Sequence, residues 1–189
     1  MIDALEAAQV DYLLGGSLAL AAWGEPRSTL DVDLVVNLPV DQMPPLSEEL
    51  ARRGILVPAD LMLDLWMEDR GDVALVAYHT VAGFKAKLFM LRPGDALRAS
   101  ALARRRRVDL ESPLGVVNLH SPEDLILYKL KYYDIGEQTK HVRDILGILL
   151  ARGPELDWDY LDYWVRQLQL AKVWQYIVSE ARRLGAKRP

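Results

Sequence analysis

The segment LLGGSLALAAWGEPRSTLDVDLVV, residues Leu13 to Val36, sets an apolar run, a Gly-Gly-Ser turn, a short apolar stretch and then two aspartates one residue apart in a strand-like run. An ionised carboxylate is costly to bury unless it is paired or bound to a metal, so Asp31 and Asp33 require a cationic partner. Side chains alternate along an extended strand, which puts Asp31 and Asp33 on one face with Val35, and Leu30, Val32 and Leu34 on the other. An edge strand with one wet face competes with a localised site. Val35 favours the site, because the face turns apolar beyond the aspartates.

Composition narrows the chemistry. The 189 residues are 51% hydrophobic, enough for one substantial core or a core with a helical appendage. With 23 Lys+Arg against 27 Asp+Glu the formal net charge is -4, so any polyanion must be met by a local patch. The absence of cysteine excludes disulfides, thiolate metal sites and a cysteine nucleophile. His79, His120 and His141 lack ligand spacing, which argues against zinc and leaves a hard cation held by carboxylates. The N-terminus has no basic stretch leading into an apolar core, and no apolar run reaches bilayer length. A cytoplasmic protein with no membrane partner is expected.

The pattern along the chain is α+β. A short helix over 2–9 precedes a strand ending at Gly15-Gly16, Ser17 is expected to cap a helix to about Trp23, and STLDVDLVVN reads as a strand. Pro39, Pro44 and Pro45 suggest a loop before the helix LSEELARRG. Strands are predicted at 73–80, 84–90 and 116–119, with a helix or loop before the last. SPEDLILYKLKYY has serine at the cap, proline at the first helical position and acids in the first turn, a strong helix start. Helices follow at about 138–151, 157–170 and 173–184. The expected architecture is an α/β domain over 1–120 and a C-terminal helical bundle over 121–189.

Glycines before a helix let backbone amides approach an anion, and the helix dipole favours negative charge there. The turn Gly15-Gly16-Ser17 therefore suits phosphate. Two carboxylates on the next strand suit magnesium, which takes few protein ligands and completes its shell with water and substrate phosphates. A phosphate cradle beside such a site is a layout for phosphoryl or nucleotidyl transfer.

GGS followed after thirteen residues by DVD resembles the signature of the DNA-polymerase-beta-like nucleotidyltransferases. The fuller context, with SPEDLILYKL and KHVRDILGIL, is similar to the minimal bacterial nucleotidyltransferases that include the AbiEii-type toxins of type IV toxin–antitoxin systems. The resemblance covers roughly residues 10–150. It implies a nucleotidyltransferase-fold mixed sheet with flanking helices, an NTP substrate and Mg2+ or Mn2+. It also implies that Gly15, Gly16 and Ser17 hold the nucleotide phosphates, that Asp31 and Asp33 are catalytic and bind metal, and that Arg27 or Thr29 orients the triphosphate. An RNA, tRNA or protein acceptor and an antitoxin partner would follow from a toxin-like role.

Lys129 sits beside the apolar stripe of its helix, where it either snorkels to solvent or reaches the active site, as the resemblance implies. Asp144 lies across its helix from Val142, Ile145, Leu146 and Leu149 and faces solvent or pairs with a cation such as Lys129. The pattern departs from the family at FKAKLF, where the resemblance implies a third carboxylate and Lys87 stands. Three outcomes follow: a two-carboxylate site with Lys87 on the triphosphate, recruitment of Asp60, Asp64 or Asp72, or a catalytically silent nucleotide-binding relative. An antibiotic adenylyltransferase is the alternative within the enzyme class. Arg104 to Arg107 are either a solvated surface or a nucleic-acid contact.

Overall fold

The computed structural model describes residues 1–29, 31–68, 72–111 and 115–187; Leu30 lies outside them. In chain order the elements are α1 (Ile2–Ala7), β1 (Asp11–Leu14), α2 (Gly16–Trp23), β2 (Asp31–Asn37), α3 (Met43–Ala51), α4 (Ala59–Met67), β3 (Leu75–Tyr78), β4 (Lys85–Met90), α5 (Ala96–Ala103), β5 (Arg106–Asp109), β6 (Val116–Leu119), α6 (Pro122–Gly136), α7 (Thr139–Arg152), α8 (Trp158–Gln167) and α9 (Ala171–Arg183). They form two compact units. The first is Met1–Gly16 with Ser28–Leu119, and the second is Ser17–Arg27 with His120–Pro189.

The first unit is built on a mixed six-stranded sheet in the order β3-β4-β2-β1-β6-β5. β1 runs antiparallel to β2 and parallel to β6, and β2 runs parallel to β4. β3 and β5 close the two edges as antiparallel partners of β4 and β6. The central strands are apolar because they are covered: Leu13, Leu14, Leu34, Val36, Ala86 and Leu88 are all buried. Each such aliphatic side chain contributes roughly 1.5–3 kcal/mol relative to remaining in water. Burial along β2 starts at Leu34, while Asp31, Val32 and Asp33 are half-buried, so the strand enters the core only after its carboxylates.

Several local expectations are corrected. Pro44 and Pro45 do not precede α3 but lie in its first turn, where a missing N–H leaves no intrahelical bond unmade. α2 starts at Gly16 with φ at +59°, so Ser17 is inside the first turn and is not the cap. α4 and the edge strand β5 were not anticipated; of the stretch expected as a helix or loop, Ala96–Ala103 form the helix α5 and Arg106 and Arg107 belong to β5.

In the second unit, α6 begins as its sequence signals: the Ser121 hydroxyl accepts from the Asp124 N–H at 3.1 Å and Pro122 takes the first position. α2 belongs to this unit through its neighbours. The Trp23 indole N–H donates to the His120 carbonyl at 2.8 Å, and Gly24 packs against Ile148 so closely that a Cβ would meet the Ile148 backbone nitrogen at 3.2 Å. Among the described residues, no helix is long and apolar enough to cross a membrane.

Candidate functional site

The β2–β4 register creates the charged cluster of the first unit. Parallel pairing places Asp31 opposite Lys85 and Asp33 opposite Lys87. The Lys87 ammonium donates to Asp31 Oδ2 at 2.9 Å, and the Lys85 ammonium lies 3.2 Å from Asp31 Oδ1. Each oxygen of Asp31 thus holds a different lysine. The hydrogen bond from Lys87 is the largest influence and, with a weaker one from Lys85, holds the Asp31 carboxyl below the usual carboxylate range against the opposing effect of desolvation, which ranks between the two. Lys87 shifts the other way: its bond to Asp31, with Asp33 and Tyr78 nearby, raises it further above neutrality. The lysine stays charged and is no candidate for a neutral nucleophile.

Gly16 and Asp33 are in direct contact. A Cβ on Gly16 would collide with Asp33 Oδ2, and the residue sits in the left-handed region, so both space and backbone conformation require glycine. Gly15 has another task, since its N–H donates to the Asp33 carbonyl at 2.8 Å and extends the β1–β2 ladder. The Gly15 N–H therefore serves the sheet. The Thr29 hydroxyl accepts from the Asp31 N–H at 3.2 Å and fixes the entry to β2.

The first unit thus brings together Gly16, Asp31, Asp33, Lys85 and Lys87. Lys85 was not anticipated as part of the site. Its signal was its spacing of two from Lys87, which puts both ammonium groups on one face of β4. Of the alternative acids, Asp72 pairs with Arg98 at 3.1 Å, and the Asp60 carboxylate accepts from the Leu61 N–H within α4.

These donors do not fit a divalent cation as they stand. Among the described residues, no three His, Cys, Asp or Glu side chains gather as metal ligands. Two ammonium groups cancel the two carboxylates, and Asp31 cannot turn to a metal without releasing both lysines. Magnesium selects hard oxygen donors with excess negative charge, which this cluster lacks.

A separate group lies in the second unit. Asp144 accepts from the Lys129 ammonium at 2.6 Å, and Arg27 Nε lies 3.3 Å from its other oxygen. Lys129 and Asp144 are 4% exposed, so Lys129 does not snorkel, and Asp144 takes the pairing with Lys129 on the buried face of α7 with Ile145, Ile148 and Leu149. An ion pair so buried is stable only when both partners remain, and removing one typically costs about 3–5 kcal/mol. Ser17, also buried, belongs to this unit. Glu25, Pro26, Arg27, Arg143 and Asp144 line a cleft of about 200 Å³.

No protein-family profile matches the chain, and no curated protein sequence is significantly similar to it. Solved structures are. The antibiotic-resistance factor ANT(2'')-Ia in solution superposes with a TM-score of 0.53 at 15% identity, over 96% of this chain and 91% of that one. A crystal structure of ANT(2'')-Ia in complex with adenylyl-2''-tobramycin gives 0.51 at 17% identity, over 92% and 93%. An antigenic nucleotidyltransferase-like protein from Paracoccidioides brasiliensis gives 0.50 at 18% identity, over 99% and 89%. The chain has the fold of these nucleotidyltransferases along nearly its whole length.

Proposed function

We propose that this chain binds a nucleoside triphosphate at Gly16 and the β2–β4 cluster and transfers its nucleoside monophosphate to an acceptor hydroxyl. The carrying observation is the contact of Gly16 with Asp33 beside two lysines, which sets a close-approach backbone, a carboxylate and cations on one surface. In the reaction the acceptor oxygen attacks the α-phosphorus, the bond to the β-phosphate oxygen breaks, and pyrophosphate departs with the bonding pair. Asp33 receives the acceptor proton, and Lys85 and Lys87 neutralise charge on the phosphate oxygens. The adenylyl-2''-tobramycin bound to a similar fold supports a small hydroxyl-bearing acceptor such as an antibiotic. An RNA acceptor is supported by the exposed Arg105, Arg106 and Arg107. A second reading, nucleotide binding without turnover, is favoured by Lys87 at the place where the resemblance implies a carboxylate.

The test follows an α-labelled NTP with an aminoglycoside or bulk tRNA, with and without Mg2+. Label moving to the acceptor with release of pyrophosphate is expected, and Asp33→Asn should slow it by roughly 10²–10⁴-fold, the range for loss of a general base. An NTP-dependent rise in melting temperature without label transfer would establish the second reading. No thermal shift with any NTP would overturn both.

A further inference from the structure

We propose that Lys85 and Lys87 occupy the electrostatic place of a divalent cation, so that the triphosphate binds this chain without metal. The inference rests on the nucleotide-binding reading above and specifies how that site neutralises its ligand. The sheet register carries it. Because β2 and β4 run parallel with Asp31 opposite Lys85 and Asp33 opposite Lys87, two ammonium groups project from the same face as the two carboxylates. Both oxygens of Asp31 are occupied, at 2.9 and 3.2 Å, by different lysines. The Asp31 carboxylate acts as a holder for two cations.

The lysines remain available to a ligand. The Lys85 and Lys87 side chains are 38% and 34% exposed, and each ammonium carries three donors, of which the bond to Asp31 uses one. A compact point charge on a flexible stem is a standard phosphate binder and needs no fixed coordination geometry. A triphosphate arriving at Gly16 meets cations already held in place, whereas a divalent cation meets two positive charges and an engaged carboxylate. The free cluster therefore has no attraction for a metal, and the ligand has no need of one.

The test uses the full chain and two probes. Binding of ATP, GTP, CTP and UTP is measured by equilibrium dialysis in EDTA and in Mg2+, and binding of Mn2+ alone by the electron paramagnetic resonance signal of the free ion. The wild type should bind at least one NTP in EDTA with a Kd within about threefold of that in Mg2+, and should take up no Mn2+; a difference of that size is well under one decade of affinity. Lys87→Gln should weaken binding in EDTA by roughly tenfold, the scale of one lost charge-assisted contact. Lys87→Asp should lose metal-free binding and gain Mn2+. NTP binding by the wild type only when Mg2+ or Mn2+ is present overturns the lysine proposal and leaves the nucleotide site standing. No binding under either condition overturns the nucleotide reading itself.

Discussion

His141 is an imidazole surrounded by charge. Lys140 and Asp144 reach it from its own helix α7, Lys129 from α6, and Arg27 from the segment after α2, while the Tyr132 ring lies 6.2 Å away. Burial first, and then the cations Lys129, Lys140 and Arg27, push its pKa down to about 4, with Asp144 opposing. The folded protein therefore keeps His141 neutral at a pH where the unfolded chain, with an ordinary histidine near 6.5, already takes up a proton. The unfolded state binds more protons between those values, so stability rises with pH in this window. His141 costs nothing above about pH 6.5, and its penalty grows as pH falls toward 4. Urea midpoints of the wild type should drop across this range, and His141→Gln should flatten the drop. Parallel profiles for the two proteins would show that the imidazole stays protonatable in the fold.

Helix termini show how environment scales one device. Ser121 caps α6 with a fully buried hydroxyl that also donates to the Asp124 carboxylate at 2.6 Å, and the other oxygen of Asp124 accepts from the Tyr160 phenol at 2.6 Å. Asp157 caps α8 at 3.0 Å from an exposed position. Ser121→Ala removes the cap and leaves a buried carboxylate short of a donor, so it should cost about 2–3 kcal/mol, against about 1 kcal/mol for Asp157→Ala. Equal losses in urea-unfolding free energy would mean that Asp124 is satisfied without the serine. The Ser121 cap was readable, as was the β2 pair Asp31 and Asp33, because capping and alternation are local; Asp157 lies one residue before the helix in which the sequence places it. What local pattern did not convey was pairing across the sequence. Asp144 breaks the periodicity of α7 because Lys129 and Arg27, 15 and 117 residues away, make its burial tolerable. Lys85 entered the site through a register that no single strand encodes. Ser17 looked like a cap because the left-handed turn at Gly16, which starts α2 one residue earlier, has no signature beyond the glycine itself.

Neither compact unit is a continuous stretch of chain. Ser17–Arg27 leave the sheet unit, join the helices of 120–189, and the chain then returns as β2. Ala19 and Leu20 are almost fully buried, and the polar anchors of this segment, the His120 carbonyl for Trp23 and Asp144 for Arg27, both lie beyond residue 119. Cutting between 119 and 120 separates the segment from both. The fragment 1–119 then exposes Leu20, worth roughly 1.5–3 kcal/mol of lost burial, together with the half-buried Trp23, on a segment held at both ends by β1 and β2. The complementary fragment loses Arg27, the second cation on the buried Lys129–Asp144 pair, and the cover over Ile148. We expect 1–119 alone to aggregate or unfold without a cooperative urea transition, and co-expression with 120–189 to restore a single soluble complex on size exclusion. A cooperative transition for 1–119 alone, with far-UV circular dichroism that accounts for α2 as helix, would show that the sheet unit stabilises this helix without the second unit.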